Sequence, residues 1–170
     1  MFQQVFLHLL RLLPMTQKFN SEFKDNVVDS VGLSFIKVYN LWHTRIKNEL
    51  RKYNLTHPQF IVLSTLAYLT QHNDEVNQVN IAKHSDIDVM TVSVIIKNLE
   101  KFSFVTRKAS KKDTRSKVIK LTPKGLDIVN ETLPIIEKVD QSFFSVLKTE
   151  KSQFNNMLQL LITTNSITDK

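Results

Sequence analysis

The chain has 170 residues, 42% of them hydrophobic, with no cysteine and only two glycines. That supplies one domain plus arms and argues against wholesale disorder; it excludes disulfides, thiolate metal sites and thiol redox sensing, and speaks against a loop-rich all-β protein. The formal net charge is +7, yet from Lys97 to Lys124 ten basic residues meet only Glu100 and Asp113, a local net of +8, so the excess is concentrated there and points to an anionic partner.

At the start, "MFQQVFLHLLRLLPMTQ" has an apolar run from Phe6 to Leu10 that Arg11 interrupts and Pro14 ends. The run is too short to span a bilayer, and it has neither a basic leading region nor a small-residue cleavage site. Two expectations stand side by side. Met15 is the true start, or the segment is an amphipathic arm packing on a dimer partner.

Between Leu33 and Tyr53, apolar or aromatic residues recur at Ile36, Tyr39, His43, Ile46, Leu50 and Tyr53. Steps of three and four predict a helix with a heptad-like seam. In "LTHPQF", Thr56 is a cap, Gln59 completes a capping box, Pro58 suits the first turn, and Leu55 and Phe60 form a staple. The helix that follows carries Leu63, Leu66 and Leu69 to about Thr70, and "QHNDEVN" is a loop.

A short helix is expected from Gln78 to His84, capped by Asn77 and burying Val79, Ile81 and Ala82. After a turn at "SDI", Asp88 caps a helix from Val89 to about Phe102, stapled by Ile87 and Val92. Two short helices across a three- or four-residue turn make a helix-turn-helix. "FVTRKA" and "KVIKL" are β-branched-rich strands, with "SKKDTRS" the hairpin between them. Thr122 and Pro123 then open a helix bearing Leu126, Val129 and Leu133. Pro134 should kink it before Ile136, Val139, Phe143 and Leu147. Thr149 opens a last helix with Phe154, Met157, Leu158, Leu161 and Ile162.

A helix-turn-helix followed directly by a β-hairpin is a winged helix, and the basic stretch is its wing. The expected fold is mainly α with a small β-hairpin wing. Residues 1–32 form an extension or arm, 33–54 and 123–165 a helical dimerisation region, and 55–122 the winged helix-turn-helix lobe.

On a helical wheel, Val89, Val92, Ile95, Ile96, Leu99 and Phe102 share the core-facing arc. Met90, Ser93, Val94, Lys97 and Lys101 share the opposite one, with Thr91 and Asn98 at its edge and Glu100 at the margin. An ordinary solvent-facing surface usually mixes acids with bases. A neutral-to-basic face of short side chains suits a major groove, where Ser and Thr make adaptable contacts and methyls meet thymine. A charged hairpin beside it reaches phosphates and the neighbouring minor groove. Arg107, Lys111, Lys112 and Lys117 supply that charge.

From "LTHPQFIVLSTL" through "VNIAKHSDIDVMTVSVIIKNLEKFSFVTRKASKKDTRSKVIKLTPKG", the chain resembles the MarR (multiple antibiotic resistance regulator) family of bacterial transcription factors, over roughly Leu33 to Ile162. The most specific part is the wing. There the pattern R-x-x-s-x-x-D-x-R stands as Arg107, Ser110, Asp113 and Arg115, followed by v-x-LT-x-x-G as Val118, Leu121, Thr122 and Gly125. The resemblance implies a symmetric dimer held by the first and last helices, with a recognition helix in the major groove. It implies that Arg115 enters the minor groove and that Asp113 orients it, which suits the attraction of a narrow groove for guanidinium. It further implies a small phenolic or lipophilic effector, for which Tyr39, Trp42, His43, Phe60 and Tyr68 are candidate lining residues, although taken singly each reads more readily as a plain core or interface aromatic. Two departures stand out. Asp86 occupies a turn position where the family often has glycine, and Ser103-Phe104 replaces the usual Gly-Leu.

Some relatives bind zinc, but His8, His43, His57, His72 and His84 show no tight ligand spacing, so no metal and no cofactor is expected. Nor is there a Gly-rich phosphate loop, HExxH or nucleophile elbow to support an enzyme. The expectation is a cytoplasmic, homodimeric regulator, a ligand-responsive repressor on a pseudo-palindromic duplex DNA operator, with no membrane association. The alternative is a winged-helix protein-interaction or anti-repressor module that does not read DNA.

Overall fold

The computed structural model describes residues 20–23, 26–110 and 116–168. Most of the N-terminal extension, and the hairpin tip with Lys111, Lys112, Asp113 and Arg115, lie outside the described residues. The chain divides into two compact units, Met1–Tyr39 and Asn40–Lys170.

In the first unit a 3-10 turn, Val27–Asp29, leads to Ser30. The Ser30 hydroxyl accepts from the Leu33 amide at 3.3 Å, as an N-capping serine does. Helix α1 (Val31–Arg51) starts there and continues into the second unit.

In the second unit, α1 buries Ile46 and Leu50 of the expected seam. It ends two residues before Tyr53, because Asn54 takes a left-handed conformation (φ 55°) and the Leu55 amide returns to the Leu50 carbonyl at 3.1 Å. Helix α2 (His57–Thr70) opens on the expected capping box. The Gln59 amide donates to Thr56 Oγ1 at 3.4 Å and the Thr56 amide to Gln59 Oε1 at 2.9 Å. Phe60, Val62, Leu63, Leu66 and Leu69 are buried on several sides of α2, which packs on the helix-turn-helix, the hairpin and the helix after it. It is the axis of the core.

Helix α3 (Gln78–Ser85) is capped by Asn77, whose Oδ1 accepts from the Val79 and Asn80 amides at 2.9 Å. Asn80 completes a second capping box, its Oδ1 accepting from the Asn77 amide at 3.0 Å. Val79, expected in the core, is exposed, whereas Ile81 and Ala82 are buried. Asp86 (φ 52°, ψ 30°) makes the left-handed turn that glycine would otherwise supply. Asp88 Oδ1 then accepts from the Thr91 amide at 2.8 Å to cap helix α4 (Val89–Lys101).

Strands β1 (Val105–Ala109) and β2 (Lys117–Leu121) pair antiparallel, with Val105 opposite Leu121 and Ala109 opposite Lys117. Helix α5 (Pro123–Phe144) continues through Pro134 as one element. A 3-10 segment, Ser145–Glu150, precedes helix α6 (Lys151–Thr168). The last helix thus opens after Thr149, because Lys148 (φ 46°, ψ −119°) breaks the helical path. Among the described residues, no helix is long and apolar enough to cross a membrane.

Candidate nucleic-acid interface

Helix α4 buries Val92, Ile95, Ile96 and Leu99 and half-buries Val89, so the opposite face is turned to solvent. On it Met90 is 76% and Val94 56% exposed. Thr91, Lys97 and Lys101 are exposed, and Ser93 and Asn98 half-buried. No carboxylate stands within that face, and its N-terminal end is held by the Asp88 cap, whose carboxyl the Thr91 hydrogen bonds keep below the usual carboxylate range.

Phe102 departs from the expected core arc: it is 48% exposed. The periodicity carries one residue too far. Phe102 is already the C-cap, Ser103 turns left-handed (φ 59°), and the Ser103 and Phe104 amides return to the Glu100 and Leu99 carbonyls at 2.9 Å. This closure is a Schellman-type end. Phe104, not Phe102, enters the core.

The hairpin is fixed to the helix-turn-helix at several points. The Ile119 amide donates to the Val76 carbonyl at 2.8 Å, so the segment before α3 pairs with β2. The Ser110 amide donates to the Ser116 carbonyl at 3.0 Å and closes the hairpin below its tip. Buried Ser110 also donates its hydroxyl to Glu75 Oε2 at 2.6 Å. Arg107 Nε donates to Glu100 Oε2 at 2.9 Å, and its terminal NH2 group bonds the same oxygen. Glu100 is held below the usual carboxylate range by this hydrogen bond and by the Arg107 and Lys117 charges. Arg107, expected among the DNA-facing cations, is therefore half-buried and committed to α4, while Lys117 is exposed. Sequence periodicity contains no signal for the Arg107–Glu100 or Ser110–Glu75 pairs, whose members lie on different elements.

At the other end of the hairpin, the Thr122 amide donates to the Phe104 carbonyl at 3.0 Å, and Thr122 Oγ1 to the Ser103 carbonyl at 2.7 Å. The Gly125 amide donates to Thr122 Oγ1 at 2.9 Å. A Cβ on Gly125 would lie 1.9 Å from the Phe104 carbonyl oxygen. These contacts give the LT-x-x-G pattern a physical reason.

The aromatic candidates for an effector cleft occupy different surroundings. Phe60 is core, and Tyr68 is 60% exposed against His72, with ring centroids 5.2 Å apart. Trp42 and His43 meet His57 instead, at centroid distances of 5.4 and 5.1 Å. Tyr39 belongs to the first unit. The cleft of about 420 Å³ between α1 and α5 is lined by other residues, among them Arg45, Glu49, Lys138 and Val139. No group of three or more His, Asp or Glu among the described residues is placed to hold a metal.

A family model described as the ArnR1-like, winged-helix domain matches residues 51–140. Over 132 residues the chain is 32% identical to YdcH, an uncharacterised HTH-type transcriptional regulator of Bacillus subtilis (strain 168), covering 78% of this chain and 90% of that one. The Staphylococcus aureus MepR–DNA complex matches with a TM-score of 0.72 at 25% identity, over 85% of this chain and 99% of that one. AbsC, a MarR family transcriptional regulator from Streptomyces coelicolor, shares the fold at 16% identity and a TM-score of 0.71, over 88% of this chain and 99% of that one. The chain belongs to the MarR family of winged helix-turn-helix transcriptional regulators. Within this MarR-family lobe, α3 and α4 are the helix-turn-helix and β1–β2 the wing.

Proposed function

We propose that the protein is a sequence-specific duplex DNA-binding regulator that acts as a homodimer on a pseudo-palindromic operator, as a ligand-responsive repressor in the cytoplasm. The observation that carries this reading is the outward face of α4: exposed Met90, Thr91, Val94, Lys97 and Lys101, without a carboxylate, beside a hairpin with a strong basic excess. Residues 55–122 would form the reading lobe, and 33–54 with 123–165 the dimerisation region. Exposed apolar side chains support a dimer: Leu33, Phe35, Ile36 and Val38 in the first unit, and Met157, Leu160, Leu161 and Ile162 on α6. Surfaces of that kind on a soluble regulator mark an interaction site. Light scattering is expected to give about twice the 19.8 kDa chain mass. A small phenolic or lipophilic effector would bear on both regions at the Trp42–His57 cluster, which joins α1 to α2.

The test is affinity for a duplex selected from genomic fragments, and for its scrambled counterpart, across a salt series. Arg115→Ala should weaken binding to both duplexes and flatten the salt slope, which is about 0.9 per phosphate neutralised. Asp113→Ala should reproduce part of that loss without removing positive charge. Changing Ser93 or Lys97 should alter base preference, at roughly 1–3 kcal/mol per base contact. Wild-type protein without a steep salt slope would identify the lobe as a protein-interaction module.

A further inference from the structure

Acidic side chains on a surface that meets a polyanion normally weaken binding, and removing them strengthens it. Glu100 and Glu75 are acids that hold side chains of the wing strand and its end. Glu100, on the last turn of α4, receives the Arg107 guanidinium of β1. Glu75, in the loop before α3, receives the hydroxyl of Ser110 at 2.6 Å from the point where β1 ends.

The cross-strand register explains why Arg107 faces α4. Arg107 lies opposite Ile119 and shares its face of the hairpin with Val105, and both apolar neighbours are buried. Its stem is therefore directed inward, and the guanidinium emerges at the last turn of α4. Lys117, opposite Ala109 on that same face, adds a second wing charge acting on Glu100. Ser110 is itself buried, so its hydroxyl needs a partner, and Glu75 provides one.

We propose that Glu75 and Glu100 are positioning residues for DNA reading: each ties one side of the wing hairpin to the helix-turn-helix, so that the basic hairpin and the outward face of α4 are presented in fixed register. The pairs act through Ser110 and Arg107 and touch no base. Backbone pairing joins β2 to Val76 and β1 to β2, and the two side-chain ties add direct links from β1 and its end to the helix-turn-helix side. This inference rests on the DNA-binding reading above, and it reverses the sign expected for acids beside a polyanion.

The experiment uses the full chain and the variants Glu75→Ala, Glu75→Gln, Glu100→Ala and Arg107→Ala. Binding to a labelled random-sequence duplex and to a genomically selected duplex is measured at several salt concentrations. Trypsin cleavage within the hairpin of the free protein is measured in parallel, with thermal unfolding to establish that each variant is folded. Glu75→Ala should bind about tenfold more weakly, because it removes the carboxylate that accepts from a buried hydroxyl. Glu75→Gln, which keeps an acceptor, should restore most of that loss. Glu100→Ala should lose about threefold, less because its pair is partly exposed and screened. Both alanine variants should speed hairpin cleavage in the free protein. If both bind as tightly as wild type or tighter, and hairpin cleavage is unchanged, the ties do not position the wing. If wild type shows no salt-dependent duplex binding while the variants cleave faster, the ties stand and the DNA-binding reading falls.

Discussion

The indole Nε1 of Trp42 donates to Asp140 Oδ1 at 2.7 Å, a bond between α1 and α5 across 98 positions of sequence. Both residues are half-buried, so the bond is only partly shielded from competing water, and it fastens two helices of the expected dimerisation region beside the first turn of α2. Asp140→Ala should cost about 1–2 kcal/mol, the range for a hydrogen bond to a charged acceptor at a partly exposed site. Trp42 is the single tryptophan of the chain, so its fluorescence reads the change directly. The expected result is a red-shifted emission maximum in the folded variant and a lower denaturation midpoint. An unshifted spectrum would mean that the indole keeps its environment without Asp140.

The imidazole of His57 is the first residue of α2 and faces Trp42 and His43. Burial holds its pKa below the ordinary histidine value; the nearby His43 lowers it further, and Asp140 opposes both. Because the folded state binds this proton less readily than the unfolded chain, protonation favours unfolding. The stability His57 contributes is therefore complete above about pH 6.5 and is lost as pH falls through that value toward the lower folded-state pKa. Urea unfolding at about pH 7.5 and pH 5.5 should show a stability loss on acidification that His57→Phe reduces. An equal loss in wild type and variant would place the pH dependence elsewhere.

Local chemistry makes much of the fold legible in the sequence alone. Thr56, Asn77, Asp88 and Thr122 are caps, and a cap depends only on residues within one turn of it. The core arc of α4 and the two strands were legible for the same reason, since periodicity is a local property. Phe102 was not, because its exposure is decided by where the helix ends, and that end is a left-handed serine rather than the glycine that signals one. The Arg107–Glu100 pair is not legible in periodicity, because the acceptor lies seven positions back on another element. Composition cannot say which face of α2 meets α1, so the surroundings of its aromatic residues are not legible in the sequence. Phe60 and Tyr68 share that helix, yet one is core and the other exposed.

Ser103 holds φ 59° at the end of α4, a conformation that costs an L-residue with a Cβ about 1–2 kcal/mol. Ser103→Gly relieves that strain but adds freedom to the unfolded chain, so the net gain should be about 0.5–1 kcal/mol. Its main-chain bonds, Ser103 amide to Glu100 carbonyl at 2.9 Å and Thr122 Oγ1 to Ser103 carbonyl at 2.7 Å, do not require the side chain. A rise of a few degrees in Tm is the expected result. A fall would show that the serine hydroxyl contributes more than its backbone costs.

Gly125 stands where α5 meets the exit of α4. Its amide is the one that Thr122 caps, at 2.9 Å, and the Phe104 carbonyl that passes over it also accepts from the Thr122 amide at 3.0 Å. The close approach is between backbones: a Cβ at position 125 would meet the Phe104 oxygen at 1.9 Å and its carbon at 2.8 Å. No rotamer change relieves a clash with a carbonyl, so Gly125→Ala must separate α5 from the α4–β1 junction or forfeit the Thr122 bonds. The cost should be about 3 kcal/mol, at the upper end for overpacking. Gly32 provides the control, since a Cβ there meets nothing within 4 Å. Gly32→Ala on the exposed first turn of α1 should be neutral or slightly stabilising, by up to about 1 kcal/mol. Thermal unfolding of the two variants side by side tests the contrast. Equal stability would mean that the junction yields without loss, and that the glycine of the LT-x-x-G pattern is not required for packing.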